Sequence, residues 1–342
     1  MPAEEDPHVA SQKGRKQKRV LSGMRPTGML HLGHYFGAVT NWIALQQDED
    51  ATCFFFSADW HALTTGYRDT GDIRRYRREM FADWIAMGLD PARVTLFSQA
   101  AVPEHGELST LLGMITPVAW LERVPSYKEM RVALSHKDLS TIGFLSYPLL
   151  QTADIAMYRA THVPVGEDQL AHLEISREVL RRFNSYYGTV FPEPQGLVTP
   201  SKRVLGVDGR KMSKSYGNAV YLADSDEEVK NKIMPAPTDP QRVRRHDPGN
   251  PEVCNIFAYH KLVQATDAVD EVDQECRTAA IGCVDCKKRL LQALQTFRAP
   301  ILETRQAVLA SGEVDDLMAK GNDVARVEAR ETMAYVREAM GL

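Results

Sequence analysis

The 342-residue chain has no apolar run approaching the length of a bilayer span. It also has no basic stretch leading into an apolar one, as a secretory signal would. Both absences argue against a membrane protein, and the expected location is the cytoplasm. Cysteine is scarce and odd in number, with five residues, which argues against a disulfide framework. Excess positive charge is missing too: the formal net charge is −4, so the chain as a whole does not announce a nucleic-acid binder. Basic residues do cluster locally, at 74–78, 242–245 and 287–289. Each cluster could track a phosphate backbone or simply form a solvated helix face. What remains is ordinary for a globular protein, 44% hydrophobic and 25% charged, and long enough for two domains.

Residues 1–17 have no apolar periodicity and read as a mobile tail. From Val20 onward, short apolar runs alternate with helical patterns. Val20–Ser22 precedes a helix expected from His31 to about Gln47, and Ala51–Ser57 reads as a buried strand. A helix over about Asp72–Met87 closes at Gly88 before a third strand ending at Ser98. Leu108 to about Leu150 is helical with proline interruptions, Asp154–Tyr158 reads as a further strand, and 192–200 reads as irregular. Beyond about Leu222 the pattern is helical. The expected fold is α/β: a Rossmann-like, doubly wound parallel sheet over residues 18–220, followed by an all-α domain over 221–342.

Two segments carry phosphate chemistry. Arg25-Pro26-Thr27-Gly28 turns out of the first strand into His31-Leu-Gly-His34, and a strand–turn–helix start is where phosphate is most easily held. His31 and His34 are three apart and face one side, and Gly33 leaves room for a flat ring. In isolation such a pair is better explained by surface histidines. The second segment, Lys211-Met-Ser-Lys-Ser215, puts two lysines on a glycine-turned loop, able to neutralise charge on a departing diphosphate. Together the two segments point to a site that breaks a nucleotide's phosphate bond. A third cluster, Cys254, Cys276, Cys283 and Cys286, has the spacing C-x21-C-x6-C-x2-C, which suits a [4Fe–4S] cluster or zinc, with free thiols as the remaining option.

The pair His31-Leu-Gly-His34 and Lys211-Met-Ser-Lys-Ser215 resembles the two signatures of class I aminoacyl-tRNA synthetases. Further stretches, among them Ala58–Ala62, Trp120–Glu129, Gln151–Ile155 and Val163–Gln169, resemble the bacterial tryptophanyl-tRNA synthetases. That resemblance implies activation of L-tryptophan with ATP and Mg2+, transfer to tRNA(Trp), and a homodimer. It implies His31, His34, Lys211 and Lys214 as catalytic. It assigns Arg25, Pro26, Thr27, Gly33, Lys128, Gly166, Glu167, Asp168, Val204, Met212, Ser213 and Ser215 to ATP binding. Asp154 is implied to accept the indole N–H, with Tyr147, Gln151, Gln169, His61, Val163 and Val165 around the amino acid. The cysteines resemble the iron–sulfur pattern of some members but are one residue shorter in the longest gap. Arg25 stands where some members have Gln, and Gln151 where some have Met. A tyrosyl-type synthetase, a nucleotidylyltransferase, and a paralogous synthetase serving as a tryptophan-binding partner of another protein are the alternatives.

Overall fold

Five strands form one parallel sheet in the order β3-β2-β1-β4-β5. They are β1 (Lys18–Met24), β2 (Ala51–Ser57), β3 (Thr95–Ser98), β4 (His162–Val165) and β5 (Gln195–Val198). The computed structural model describes residues 18–124, 127, 139–166, 170–198 and 204–342. The proposed tail 1–17 lies outside the described residues, as do Lys128, Glu167, Asp168 and Gln169. The chain runs from β1 outward to β3, then returns to add β4 and β5 on the other side of β1. Strand order therefore reverses between β1 and β4, and a crevice opens at their carboxyl ends.

The uniformly apolar β2 is explained by burial on both faces. Phe55 stacks on Trp42 with ring centroids 4.5 Å apart, in a cluster with Val20 and Trp84. Phe54 and Phe56 point the other way, to Leu21, Phe97 and Tyr158. Each such aromatic side chain contributes on the order of 2–3 kcal/mol, so this strand carries much of the sheet's stability.

Three local expectations fail. Asp154–Tyr158 is not a strand: Asp154 lies on the helix Tyr147–Met157, with Pro148 in its first turn. Residues 152–157 of that helix are all buried, so no polar face breaks the apolar run, and a buried helix then looks like a buried strand. The segment around Pro192 and Pro194 is not wholly irregular, since it contains the edge strand β5, where proline nearby is tolerated. The helix after His31 is not uniform either. Leu32–His34 passes through a π-helical stretch, Tyr35–Val39, into the helix Thr40–Gln46.

The helices Asp226–Ile233, Asn255–Val263, Thr266–Arg277, Cys283–Ser311 and Glu313–Met340 make up the C-terminal part. They thread into both cores: Leu290, Leu294 and Ile301 join the Trp42 cluster, and Ala325, Ala329 and Met333 join the Phe97 cluster. Helix Glu313–Met340 covers the free edge of the sheet. Asn322 Oδ1 accepts from the Ser98 N–H at 2.9 Å, satisfying a donor that an edge strand would leave open. Gly321 makes this approach possible, because a Cβ there would stand 1.8 Å from the Leu96 carbonyl oxygen. Gly321→Ala should therefore destabilise the fold by about 2 kcal/mol or more, seen in a chain of 342 residues as a melting temperature lowered by roughly 3 °C or more. An unchanged melting temperature would show that helix and edge strand are not in such contact.

Candidate active site

The turn after β1 is fixed by the Ala58 N–H, which donates to the Met24 carbonyl at 2.9 Å, and by the Thr27 N–H, which donates to Arg25 at 2.9 Å. Pro26 is buried in this turn and Thr27 is exposed. The next residues pair with a distant segment. The Leu32 N–H donates to Val220 and the Leu222 N–H to Leu30, both at 3.0 Å, with His31 bridged to Tyr221. His31 then starts the helical segment. The His34 N–H donates to the His31 carbonyl at 2.8 Å, and the His31 N–H donates to His34 Nδ1 at 3.1 Å. The two rings lie 3.7 Å apart, and a Cβ at Gly33 would press to 2.9 Å from the His31 ring.

This packing decides the charge of both imidazoles. Burial, helped by Lys214, lowers His31 to about 4. Burial, then His31 and Lys214, holds His34 well below the ordinary range. Both rings are thus neutral near pH 7 and act as hydrogen-bonding groups, not as cations. Because His34 Nδ1 accepts a hydrogen bond, its proton sits on Nε2, which is left able to donate. His31 Nδ1 is buried without a partner among the described residues, the kind of orphan a ligand satisfies.

The second lysine loop folds against this turn. The Met212 N–H donates to Val204 at 3.0 Å, and both side chains are buried. Asn218 braces the loop by accepting from the Ser213 N–H at 2.8 Å and donating to Asp208 at 2.7 Å. Ser213 caps the short turn Lys214–Tyr216 by accepting from the Ser215 N–H. Lys214 Nζ donates to the Gly28 carbonyl at 2.9 Å, so the lysine loop touches the turn that leads into His31. Burial, and then the neighbouring Arg25, lower its ammonium to about 8. Lys211 and Ser215 are exposed. The helix Asn255–Val263 supports the loop from beneath, with the Asn255 amide donating to Gly206 at 2.8 Å and the Tyr259 hydroxyl to Leu205 at 2.7 Å.

Between β1 and β4 lies a cavity of about 450 Å³. Among the residues lining it are Arg25, His61, Tyr147, Gln151, Asp154, Val163, Val165 and Gly166, so every described residue expected around the amino acid meets there. Asp154 is 1% exposed. Its Oδ2 accepts from His61 Nε2 at 2.8 Å, and its Oδ1 from Gln99 Nε2 at 2.7 Å and His105 Nδ1 at 2.6 Å. Burial pushes this carboxyl up, but the hydrogen bonds from His105 and His61 outweigh it and hold the group below its ordinary value. It is therefore ionised and purely an acceptor at neutral pH. Tyr147 and Gln151 are joined through His172, whose Nε2 lies 3.2 Å from the Tyr147 hydroxyl and Nδ1 3.3 Å from Gln151 Oε1.

Gln99, His105, Tyr158 and His172 were not singled out by sequence. Gln99 directly follows β3, so the strand-end rule could have found it. The others carry no local signal. Two of the basic clusters prove partly structural. Lys287 donates to the Met234 and Ala236 carbonyls at 2.7 Å, and Arg242 to Ile281 at 2.7 Å. The four clustered cysteines are free. Burial pushes the Cys286 thiol up to about 12, and charge on Cys254, Cys276 and Cys283 pushes the same way. Among the described residues, no group of three or more His, Cys, Asp or Glu stands in a metal-binding arrangement.

The profile of the tRNA synthetases class I (W and Y) matches residues 12–298. The tryptophan–tRNA ligase of Thermotoga maritima is 50% identical over 326 residues, covering 95% of this chain and 99% of that one. The tryptophan–tRNA ligase of Aquifex aeolicus is 42% identical over 395 residues, covering 95% of this chain and all of that one. The crystal structure of tryptophanyl-tRNA synthetase from Campylobacter jejuni, complexed with ADP and tryptophan, superposes with a TM-score of 0.87 at 31% identity over 95% of this chain and 100% of that one. The chain belongs to the class I tRNA synthetases of the tryptophan and tyrosine branch, and within it to the tryptophan–tRNA ligases.

Proposed function

We propose that the two ends of this cleft divide the tryptophan–tRNA ligase reaction between them. Tryptophan enters the cavity between β1 and β4 with its indole N–H on Asp154, its ring between Val163, Val165 and Gln151 near His61, and its head group toward Tyr147 and Gln169. ATP lies across His31–His34, Gly166 and the Lys211–Ser215 loop, with Val204 and Met212 near the base and Arg25, Pro26 and Thr27 at the phosphates. Lys128, Glu167 and Asp168 complete that set by resemblance. The observation that carries this reading is the contact of the Lys211–Ser215 loop with the turn after β1, Lys214 on Gly28, because Arg25 of that same turn lines the cavity walled by Asp154.

A tryptophan carboxylate oxygen attacks the α-phosphorus in line. The bond from that phosphorus to the bridging oxygen breaks, and diphosphate leaves with the electron pair. His34 Nε2–H and the His31 ring donate hydrogen bonds to the phosphoryl oxygens, where neutral donors suffice and need no counter-ion. Lys214, half-desolvated and beside Arg25, gains most by exchanging Gly28 for phosphate, and Lys211 follows the departing diphosphate. Mg2+ held by the phosphates would add charge neutralisation there. The 2′-hydroxyl of the 3′ adenosine of tRNA(Trp) then attacks the adenylate's carbonyl carbon, the bond from that carbon to the phosphate oxygen breaks and AMP leaves, with residues 221–342 as the anticodon-binding domain.

A homodimer in the cytoplasm is the assembly and location we infer. The family resemblance implies the dimer. No described helix is long and apolar enough to cross a membrane. For the cysteines we infer a [4Fe–4S] cluster on Cys254, Cys276, Cys283 and Cys286. The thiol spacing supports it, as does the chemistry of the donor set: burial, and then the charge of neighbouring cysteines, pushes the Cys276 and Cys286 thiols up, a cost that a cationic cluster core bound by thiolates would relieve.

Three outcomes follow. Asp154→Asn should cut kcat/KM for tryptophan by about 10²-fold while leaving KM for ATP within about twofold; equal losses for both substrates would dissociate Asp154 from the amino acid. In the free enzyme kcat/KM for ATP should fall as pH rises through about 8, where Lys214 loses its proton. Lys214→Arg should abolish that limb, and its persistence would assign the limb elsewhere. Protein purified without oxygen should carry roughly four irons per chain, reduced by Cys276→Ser; an iron-free anaerobic sample would remove the cluster.

A further inference from the structure

Asp154 is held from two sides by different kinds of surroundings. On the cleft side stands His61, which lines the cavity together with Asp154 itself. On the other side stand Gln99 and His105, each 0% exposed. Neither lines the cavity. The His105 ring lies among apolar rings, with centroids 6.3 Å from both Phe56 and Phe97 and 5.4 Å from Tyr158.

The hydrogen bonds fix who donates. An ionised carboxylate only accepts, so His105 Nδ1 must carry the proton it shares with Asp154 Oδ1 at 2.6 Å. His105 Nε2 is then free to accept from the Tyr158 hydroxyl, 2.9 Å away. Tyr158 is itself fully buried, and His105 gives its hydroxyl the partner that burial demands. Gln99 is held just as firmly: its Oε1 accepts from the Trp60 N–H at 2.9 Å, while its Nε2 donates to Asp154 Oδ1 at 2.7 Å.

A carboxylate offers about four lone-pair positions, two on each oxygen. Oδ1 has both taken, by His105 and Gln99. Oδ2 has one taken, by His61. We propose that His105 and Gln99 are positioning residues for amino-acid selection: by filling Oδ1 from the protein side, they leave Asp154 a single acceptor position, on Oδ2 and toward the cleft, for the indole N–H. This rests on Asp154 receiving the indole as set out above. A ring without an N–H would leave that one position unpaired in a dry site, and the carboxylate cannot turn to hide it, because three donors hold it in place. Selectivity then depends on residues that never touch the substrate.

The test compares tryptophan with its benzothiophene isostere, 3-benzothienylalanine, which has sulfur in place of the indole N–H, in ATP–diphosphate exchange. His105→Phe keeps ring volume and removes the donor. It should raise KM for tryptophan by about 10- to 100-fold, the loss expected for a hydrogen bond to a charged group. KM for ATP should not move, and the preference for tryptophan over the isostere should drop about tenfold or more. His105→Asn, which can return an N–H toward Asp154, should restore most of that preference, as a merely space-filling role would not. Gln99→Met removes the second donor and should lower the preference in the same way, which keeps the test open if His105→Phe does not fold. A folded His105→Phe or Gln99→Met protein with unchanged preference, alongside an Asp154→Asn protein that loses it, would overturn the positioning role alone. An unchanged preference in Asp154→Asn as well would overturn the indole assignment beneath it.

Discussion

Two backbone hydrogen bonds, Leu32 to Val220 and Leu222 to Leu30, are the constraint on which the site depends. They join the first turn of the chain to a segment that arrives only after the whole parallel sheet has been laid down. With that pairing made, the Lys211–Ser215 loop has little choice of position. Asn218 ties the loop to its own hairpin, and Lys214 lands on the Gly28 carbonyl. A lysine and a histidine pair remote in sequence thereby share one low-dielectric pocket. Burial in that pocket keeps the histidines neutral, with Lys214 adding to the effect, and burial together with Arg25 makes the lysine readily discharged.

The two ends of the cleft treat charge in opposite ways. At the end proposed for the phosphates, Lys214 is partly desolvated beside Arg25, a standing cost that a bound polyanion would relieve. At the end proposed for the indole, a buried anion is already satisfied by His61, Gln99 and His105, an arrangement suited to a neutral ligand selected by geometry. The helical C-terminal part is built into both cores and is not a loose appendage. Helix Asn255–Val263 begins next to Cys254, donates two hydrogen bonds to the carbonyls of Leu205 and Gly206, and sets His260 3.4 Å from the Cys286 sulfur. The cysteine region and the lysine loop therefore lean on the same helix.

The first three strands were legible because β2 is largely apolar and the glycine at 88 marks a helix end where its φ of +110° requires one; the β4–β5 side was not, with a strand read at Asp154–Tyr158 and 192–200 read as irregular. The two signatures were legible because their residue types and spacing suit phosphate. Asp154 was recognised as a residue but set on the wrong element, since a helix buried all round has no polar stripe to reveal its period. His105 and Gln99 were invisible for a different reason. Their contacts come from the helices Asp59–Gly66, Glu104–Ile115 and Tyr147–Met157 and the turn after β3 meeting at one carboxylate, and nothing adjacent to them in sequence records that meeting. The π-helical stretch Tyr35–Val39 likewise has no signal in its composition; it carries Gly37 and Ala38 in the wall of the cavity.

Amino-acid-dependent exchange of labelled diphosphate into ATP, run with tryptophan and tyrosine in parallel, tests the central claim most directly. It needs both ends of the cleft at once: an indole-reading carboxylate to admit the amino acid, and the paired signatures to break and remake the phosphate bond. The account predicts exchange with tryptophan and none above background with tyrosine at the same concentration. Exchange supported by tyrosine and not by tryptophan would contradict it.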